Sequence, residues 1–311
     1  MFNIICMNIL IFGFGNRARS YILKSILIAI ENPKITVITK KSNPNKEQFP
    51  NIEFFNFHDF DKIKNQNFDL TILSVPSSNQ LEILNELNKN YHKNILLETP
   101  VNKNILKVSE NLNIKVLEDI QFATEIINIF KNLLHNSDKK EIYFIASAHE
   151  YHGIALAESL VGTNFIKKKR NINKNSEIEL YLESTNSEKI YTTSPSRFDL
   201  GYIFFRTDTG NYLCGNESSF LADKKFKNIT TYKKLEDIFE LKTFDKTVSD
   251  NWVRDLSEFR FLGLINFFEN INEINNAQSI SDSLRQQRIA KTNKLVVEVK
   301  KRIYNKIYES Q

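Results

Sequence analysis

"NILIFGFGNRARSYILKSIL", residues 8–27, decides how the rest of the chain is read. A short apolar run, Asn8 to Phe12, passes through Gly13 and Gly15 into a stretch from Arg17 to Ile30 whose apolar residues fall at helical spacing. Strand, glycine turn and helix in direct succession open a βαβ unit. Gly13, Gly15 and Ala18 also fit the pattern G-x-G-x-x-G/A, and each position has a physical reason. Gly13 permits the tight turn, Gly15 lets backbone N–H groups approach a pyrophosphate at the helix N-terminus, and Ala18 lets the helix pack closely on the strand. Asn16 and Arg17, at the helix start, join the two glycines as residues expected to hold the pyrophosphate. The same residues can also be read as a tight turn with no ligand.

The end of the second strand sorts the cofactor. A carboxylate there would bind the ribose 2′-hydroxyl of NAD. "KITVIT", residues 34–39, instead runs into Lys40, Lys41 and Ser42, and Glu31 lies before the strand. Two cations and a hydroxyl suit a 2′-phosphate through charge-assisted hydrogen bonds, so NADP is expected in preference to NAD, which stays possible. In a lysine-rich chain the same residues also read as ordinary surface.

Beyond the opening unit, strand candidates recur at Ile52 to Phe55, Leu70 to Val75, Asn94 to Leu97 and Lys115 to Leu117, with a helix from Asn79 to Asn90. This is the alternation of a doubly wound parallel sheet. After residue 120 the character changes. A helix-like stretch, Ile120 to Leu134, leads into alternating runs at Glu141 to Ala148, Glu177 to Glu183, Tyr202 to Arg206 and Tyr212 to Cys214, with "TDTGNY" as a hairpin turn. Helical segments follow near Asp255 to Ile271 and Ser279 to Tyr304. The expectation is an α/β protein: a Rossmann domain over residues 1–120, then an α+β domain over 121–311 with a largely antiparallel open sheet.

Composition narrows the function classes. With 41% hydrophobic and 25% charged residues the chain has ample material for packed cores. Its 42 basic and 37 acidic residues are interspersed, which argues against nucleic acid as a partner. The apolar opening "MFNIICMNILIFGFG" lacks a basic leader and is too short to span a bilayer, so no membrane partner is expected. Cys6 and Cys214 form neither a metal-ligand spacing nor a disulfide framework, which suits the cytoplasm and gives no metal site.

Three stretches together, "NILIFGFGNRARS", "DLTILSVPSSNQLEILNEL" and "KNILLETPVNKN", resemble the Gfo/Idh/MocA oxidoreductase family. The resemblance implies a dinucleotide fold followed by an open-sheet substrate domain. It also implies that Ser74 to Ser78, with Pro76, lie along the cofactor, and that Asn79 begins a helix there. Glu98, Thr99 and Pro100 match the family's Glu-Lys-Pro, with Glu98 implied at the nicotinamide ribose and Thr99 beside substrate. Thr99 replaces the lysine that assists proton transfer and cannot carry its charge, which disfavours an ordinary sugar-alcohol dehydrogenase mechanism. Gln121 falls where the resemblance places a cofactor or substrate contact. A capping role for Asp119 or Gln121 at the next helix competes with it.

Downstream, "IASAHEYHGIALAESLVG" is similar to the family segment in which a histidine begins a helix ending at Leu-x-Gly, here His152 and Gly162. The combination of Glu-Thr-Pro with His-x-Tyr-His is similar to one subgroup of the family. His149, Tyr151 and His152 place three proton-competent groups within four residues, and histidine titrates near neutrality. If the strand continues, His149 and Tyr151 share a face while His152 opens the helix. A purely structural, hydrogen-bonded role is the competing reading. The resulting expectation is an NADP-dependent oxidoreductase acting on a small polar metabolite, as a homodimer or homotetramer. The alternative is a catalytically silent dinucleotide-binding sensor or interaction subunit of the same fold.

Overall fold

The computed structural model describes residues 7–40, 49, 51–89, 94–108, 112–145, 150–163, 165–172, 178–194, 201–234 and 256–290. The chain divides into two compact units, Met1–Ala123 with Phe261–Arg285, and Thr124–Arg260 with Gln286–Gln311. The segment Phe261–Arg285, which the sequence-based division places in the second domain, therefore packs with the first.

Among the described residues the first unit holds six strands, β1 (Asn8–Phe12), β2 (Lys34–Thr39), β3 (Ile52–Asn56), β4 (Leu70–Leu73), β5 (Asn94–Glu98) and β6 (Asn113–Leu117). All pair in parallel, in the order β3-β2-β1-β4-β5-β6. The doubly wound sheet expected from the sequence is thus present. Its strands are continuous apolar runs because both faces are covered: Ile9, Leu10 and Ile11 are fully buried. Successive side chains alternate between the faces. Ile9 and Ile11 join Ile22, Leu23 and Ile26, whereas Leu10 and Phe12 join Phe60, Ile83, Leu84 and Leu87. The helices are α1 (Leu23–Ala29), the one-turn α2 (Phe60–Ile63) and α3 (Ser77–Lys89). The helix expected over Arg17 to Ile30 forms, but it contains a π segment, Ala18–Ile22, ahead of α1.

The second unit contains α4 (Thr124–His135), α5 (Glu150–Val161) and the short α6 (Glu217–Ala222). Its strands are β7 (Lys140–Ile145), β8 (Phe165–Ile172), β9 (Ile178–Ser184), β10 (Lys189–Ser194), β11 (Tyr202–Thr207), β12 (Asn211–Gly215) and β13 (Lys233–Lys234). They form one sheet in the order β13-β12-β11-β7-β10-β9-β8. Pairing is antiparallel except for β7 with β10 and β12 with β13. The β11–β12 hairpin turns at the expected place, where Thr207 N–H donates to the Gly210 carbonyl at 3.0 Å. α5 approaches the sheet so closely at Gly153 that a Cβ there would lie 2.0 Å from Thr192 Oγ1. Alternation then puts Tyr143 and Tyr191 on the opposite face, where their rings stack 4.5 Å apart.

Two further helices among the described residues are α7 (Leu256–Glu269) and α8 (Ile280–Ala290). Within the first unit, α7 lies backbone to backbone on the segment after β6, since a Cβ on Gly263 would meet the Asp119 carbonyl oxygen at 1.9 Å. Asn266 Nδ2 donates to the Phe122 carbonyl at 3.0 Å, and Phe122 packs on Phe267. Val116 N–H donates to the Gln278 carbonyl at 2.9 Å, so the returning chain also caps the β6 edge. The helix expected over Ser279 to Tyr304 is described as far as Ala290. Residues 291–311 lie outside the described residues.

Candidate functional site

The strand order reverses between β1 and β4, and in a doubly wound sheet ligands bind beyond the carboxyl ends of the strands at such a switch point. The glycine turn leaves β1 there. Gly13 adopts φ +92°, a conformation that favours glycine, and its N–H donates to the Ile38 carbonyl at 2.8 Å. A Cβ at Gly13 would lie 2.2 Å from the Ser74 carbonyl oxygen. The fold itself therefore requires glycine at this position.

Gly15 differs. Nothing comes within 4 Å of a Cβ built on it, and it lacks the positive φ of Gly13. Its carbonyl accepts from Arg19 N–H at 3.0 Å, which makes it the residue that opens the helix. Neither a clash nor a positive φ demands a glycine there, and the position lies at a helix start, whose free N–H groups attract an anion. Ala18 is fully buried, as close packing on the sheet requires.

A cleft of about 220 Å³ opens over this turn. Of the residues expected at a cofactor, it brings together Gly13, Gly15, Lys40, Ser74, Pro76 and Asn79. Thr39 and Lys40 line it at the end of β2, so neither residue there is acidic. Lys40 is exposed, and its ammonium stands 5.6 Å from the centre of the Phe57 ring, which lines the same cleft. Lys41 and Ser42 lie outside the described residues. Phe57 and Glu82, also in the wall, had no signal beyond their place in the chain.

Four expected residues, Asn16, Arg17, Glu98 and Gln121, stand apart from that wall. Arg17 Nε donates to Glu98 Oε1 at 3.1 Å, Nη2 donates to Asp119 Oδ2, and the guanidinium lies 4.9 Å from the centre of the Tyr21 ring. Asp119 thus binds Arg17, a partner that the capping reading does not include. Asn16 Oδ1 accepts from Ser20 Oγ at 3.0 Å. Gln121 sits partly buried in the short turn Asp119–Phe122, ahead of α4.

The Glu98-Thr99-Pro100 turn has its own support. Thr99 is half-buried and its bond to Pro100 is cis. Gln80, fully buried on α3, donates through Nε2 to the carbonyls of Glu98 (2.9 Å) and Pro100 (3.3 Å). Its Oε1 accepts from Asn102 N–H at 2.9 Å, and Asn102 Nδ2 donates to the Ser77 carbonyl. The sequence held a signal for this: Gln80 is a polar residue on the apolar stripe of Ile83, Leu84 and Leu87.

In the second unit α5 begins at Glu150, so Tyr151 and His152 both lie in the first helical turn. The strand does not continue to Tyr151: β7 ends at Ile145, and His149 is outside the described residues. Both side chains are buried, with ring centroids 4.3 Å apart. Gly162 ends the helix with φ +81°, as Leu-x-Gly suggested.

No family model matches the sequence, and no curated protein does. Solved structures match along nearly the whole chain. A scyllo-inositol dehydrogenase from Lactobacillus casei is 12% identical, with a TM-score of 0.63 over 94% of this chain and 96% of that one. A myo-inositol dehydrogenase from Corynebacterium glutamicum is 10% identical, with a TM-score of 0.60 over 92% and 95%. An oxidoreductase from Thermotoga maritima is 13% identical, with a TM-score of 0.53 over 90% and 100%. The chain has the Gfo/Idh/MocA fold, in agreement with the resemblance read from its sequence. Among the described residues no helix is long and apolar enough to cross a membrane.

Proposed function

We propose that the first unit binds a nicotinamide dinucleotide, NADP in preference to NAD, and that the chain is an oxidoreductase acting on a small polar metabolite of sugar, carbonyl or imine type. The observation that carries this is Gly15: a glycine with open space where its side chain would be, at the start of a helix, in a cleft at the switch point. The dinucleotide, when bound, supplies or accepts hydride. The turn amides from Gly13 to Asn16 hold its diphosphate. Lys40, with Lys41 and Ser42, receives the 2′-phosphate, while Ser74, Pro76 and Asn79 form the facing wall. Glu98 and Gln121 orient the nicotinamide end beside Thr99, and His152, with Tyr151 and His149, handles the proton. The charge missing at Thr99 favours reduction over removal of a proton from an alcohol.

Calorimetry tests the cofactor. NADPH binds more tightly than NADH, and Lys40→Ala weakens NADPH about tenfold, one charge-assisted hydrogen bond, while leaving NADH unchanged. A clear preference for NADH would sink the NADP assignment.

Thr99 also favours a second reading, a silent dinucleotide-binding subunit. Following absorbance at 340 nm across a panel of carbonyl, imine and sugar compounds separates the two. The enzyme turns over at least one of them, and His152→Ala slows that turnover with NADPH affinity intact. Binding without turnover on any compound leaves the silent subunit.

A further inference from the structure

We propose that Arg17 is an internal counter-ion, a positioning residue that neutralises Glu98 and Asp119 at the ends of β5 and β6, and that the diphosphate is held by the turn amides without its help. The proposal rests on the dinucleotide reading of the cleft. A cation two residues beyond the glycines is the obvious phosphate ligand by position, and the structure gives it other work. Its Nε and Nη2 are spent on the two carboxylates, its face is spent on Tyr21, and it does not line the cleft.

Burial decides which arrangement wins. Side-chain exposure is 21% for Arg17, 10% for Glu98 and 1% for Asp119. Turning the guanidinium toward a ligand would strip it from two nearly buried carboxylates, and withdrawing the partner from a buried ion pair is far costlier than the pair is worth. Nor are the acids placed to follow. Gln80 pins the main chain at Glu98 and Pro100, and the Asp119 carbonyl is wedged against Gly263. With Arg17 in place the trio carries one net negative charge; without it the trio would carry two, within the same unit as a site for an anion. Arg17 therefore favours diphosphate binding by cancelling repulsion.

ADP is the probe, because it carries the diphosphate and lacks the nicotinamide ribose assigned to Glu98. Isothermal calorimetry and melting are compared for wild type, Arg17→Met, and the triple variant Arg17→Met, Glu98→Gln, Asp119→Asn. In Arg17→Met the ADP affinity falls on the order of tenfold and the melting temperature on the order of 10 °C. In the triple variant, which has lost the repelling charges together with the cation, affinity returns to within about twofold of wild type and most of the melting temperature is regained. A ligand role for Arg17 predicts the opposite for ADP, a triple variant as weak as Arg17→Met, and that result overturns the proposal. If Arg17→Met does not fold, the triple variant is judged against wild type by the same two numbers, and a triple variant that does not fold overturns the proposal too. Wild type that binds neither ADP nor NADPH defeats the dinucleotide reading. The melting temperatures then judge the counter-ion alone, upheld by recovery in the triple variant and refuted by its absence.

Discussion

Gly13→Ala destabilises the first unit by about 4 kcal/mol, the sum of two separate costs. An alanine held at φ +92° sits in a region that L-residues avoid, which costs roughly 1 to 3 kcal/mol. The new methyl would stand 2.2 Å from the Ser74 carbonyl oxygen, so the turn or the end of β4 must shift, at a further cost of roughly 1 to 3 kcal/mol. Main chain cannot rotate out of the way as a flexible side chain can. Moving the end of β4 also disturbs the Ser74 N–H bond to the Phe12 carbonyl, 2.9 Å long, which joins the two strands at the switch point. Thermal melting of the whole chain should show a fall on the order of 10 °C. A loss below about 1 kcal/mol would mean that the turn is far more pliable than its contacts indicate.

Gly15→Asp gives the reverse outcome, a folded protein that no longer binds NADPH. Gly15 opens the helix, where aspartate is among the best residues, and a Cβ built there meets open space. Folding stability therefore stays level or rises by up to about 1 kcal/mol. Binding suffers twice. The carboxylate fills the space that a diphosphate needs and satisfies the N–H groups that would have held it, and it adds a like charge. A loss of at least about a hundredfold in affinity, near 2.7 kcal/mol, is expected in calorimetry. Unchanged affinity in a folded Gly15→Asp protein would remove the central support of the proposed function. The pair of variants thus separates two meanings of one glycine motif, the first glycine required by the fold and the second, on the proposed function, left to a ligand.

Much of this was legible from residue order. β1 and β2 begin and end where their apolar runs do, and the glycine turn falls between strand and helix, because local pattern alone fixes those features. What escaped the sequence depends on distant residues. The partners of Arg17 lie 81 and 102 positions further along, so a guanidinium that looks like a phosphate ligand in its own segment proves to be bound elsewhere. β8, "FIKKKRNI", carries four consecutive cations with no alternation of apolar and polar residues, yet it pairs with β9 along its length. α7, "LSEFRFLGLINFFE", is apolar on nearly every side, so its periodicity cannot say which unit it serves.

That last ambiguity bears on how the protein is made. Leu264, Phe267, Phe268 and Ile271 belong to the same apolar cluster as Ile9 and Ile11 of the central strand. Chains emerge N-terminus first, so this part of the Rossmann core stays open to water until nearly all of the second unit has been synthesised. The oldest strands wait for some of the youngest helices, and the nascent chain is most exposed to aggregation during that interval.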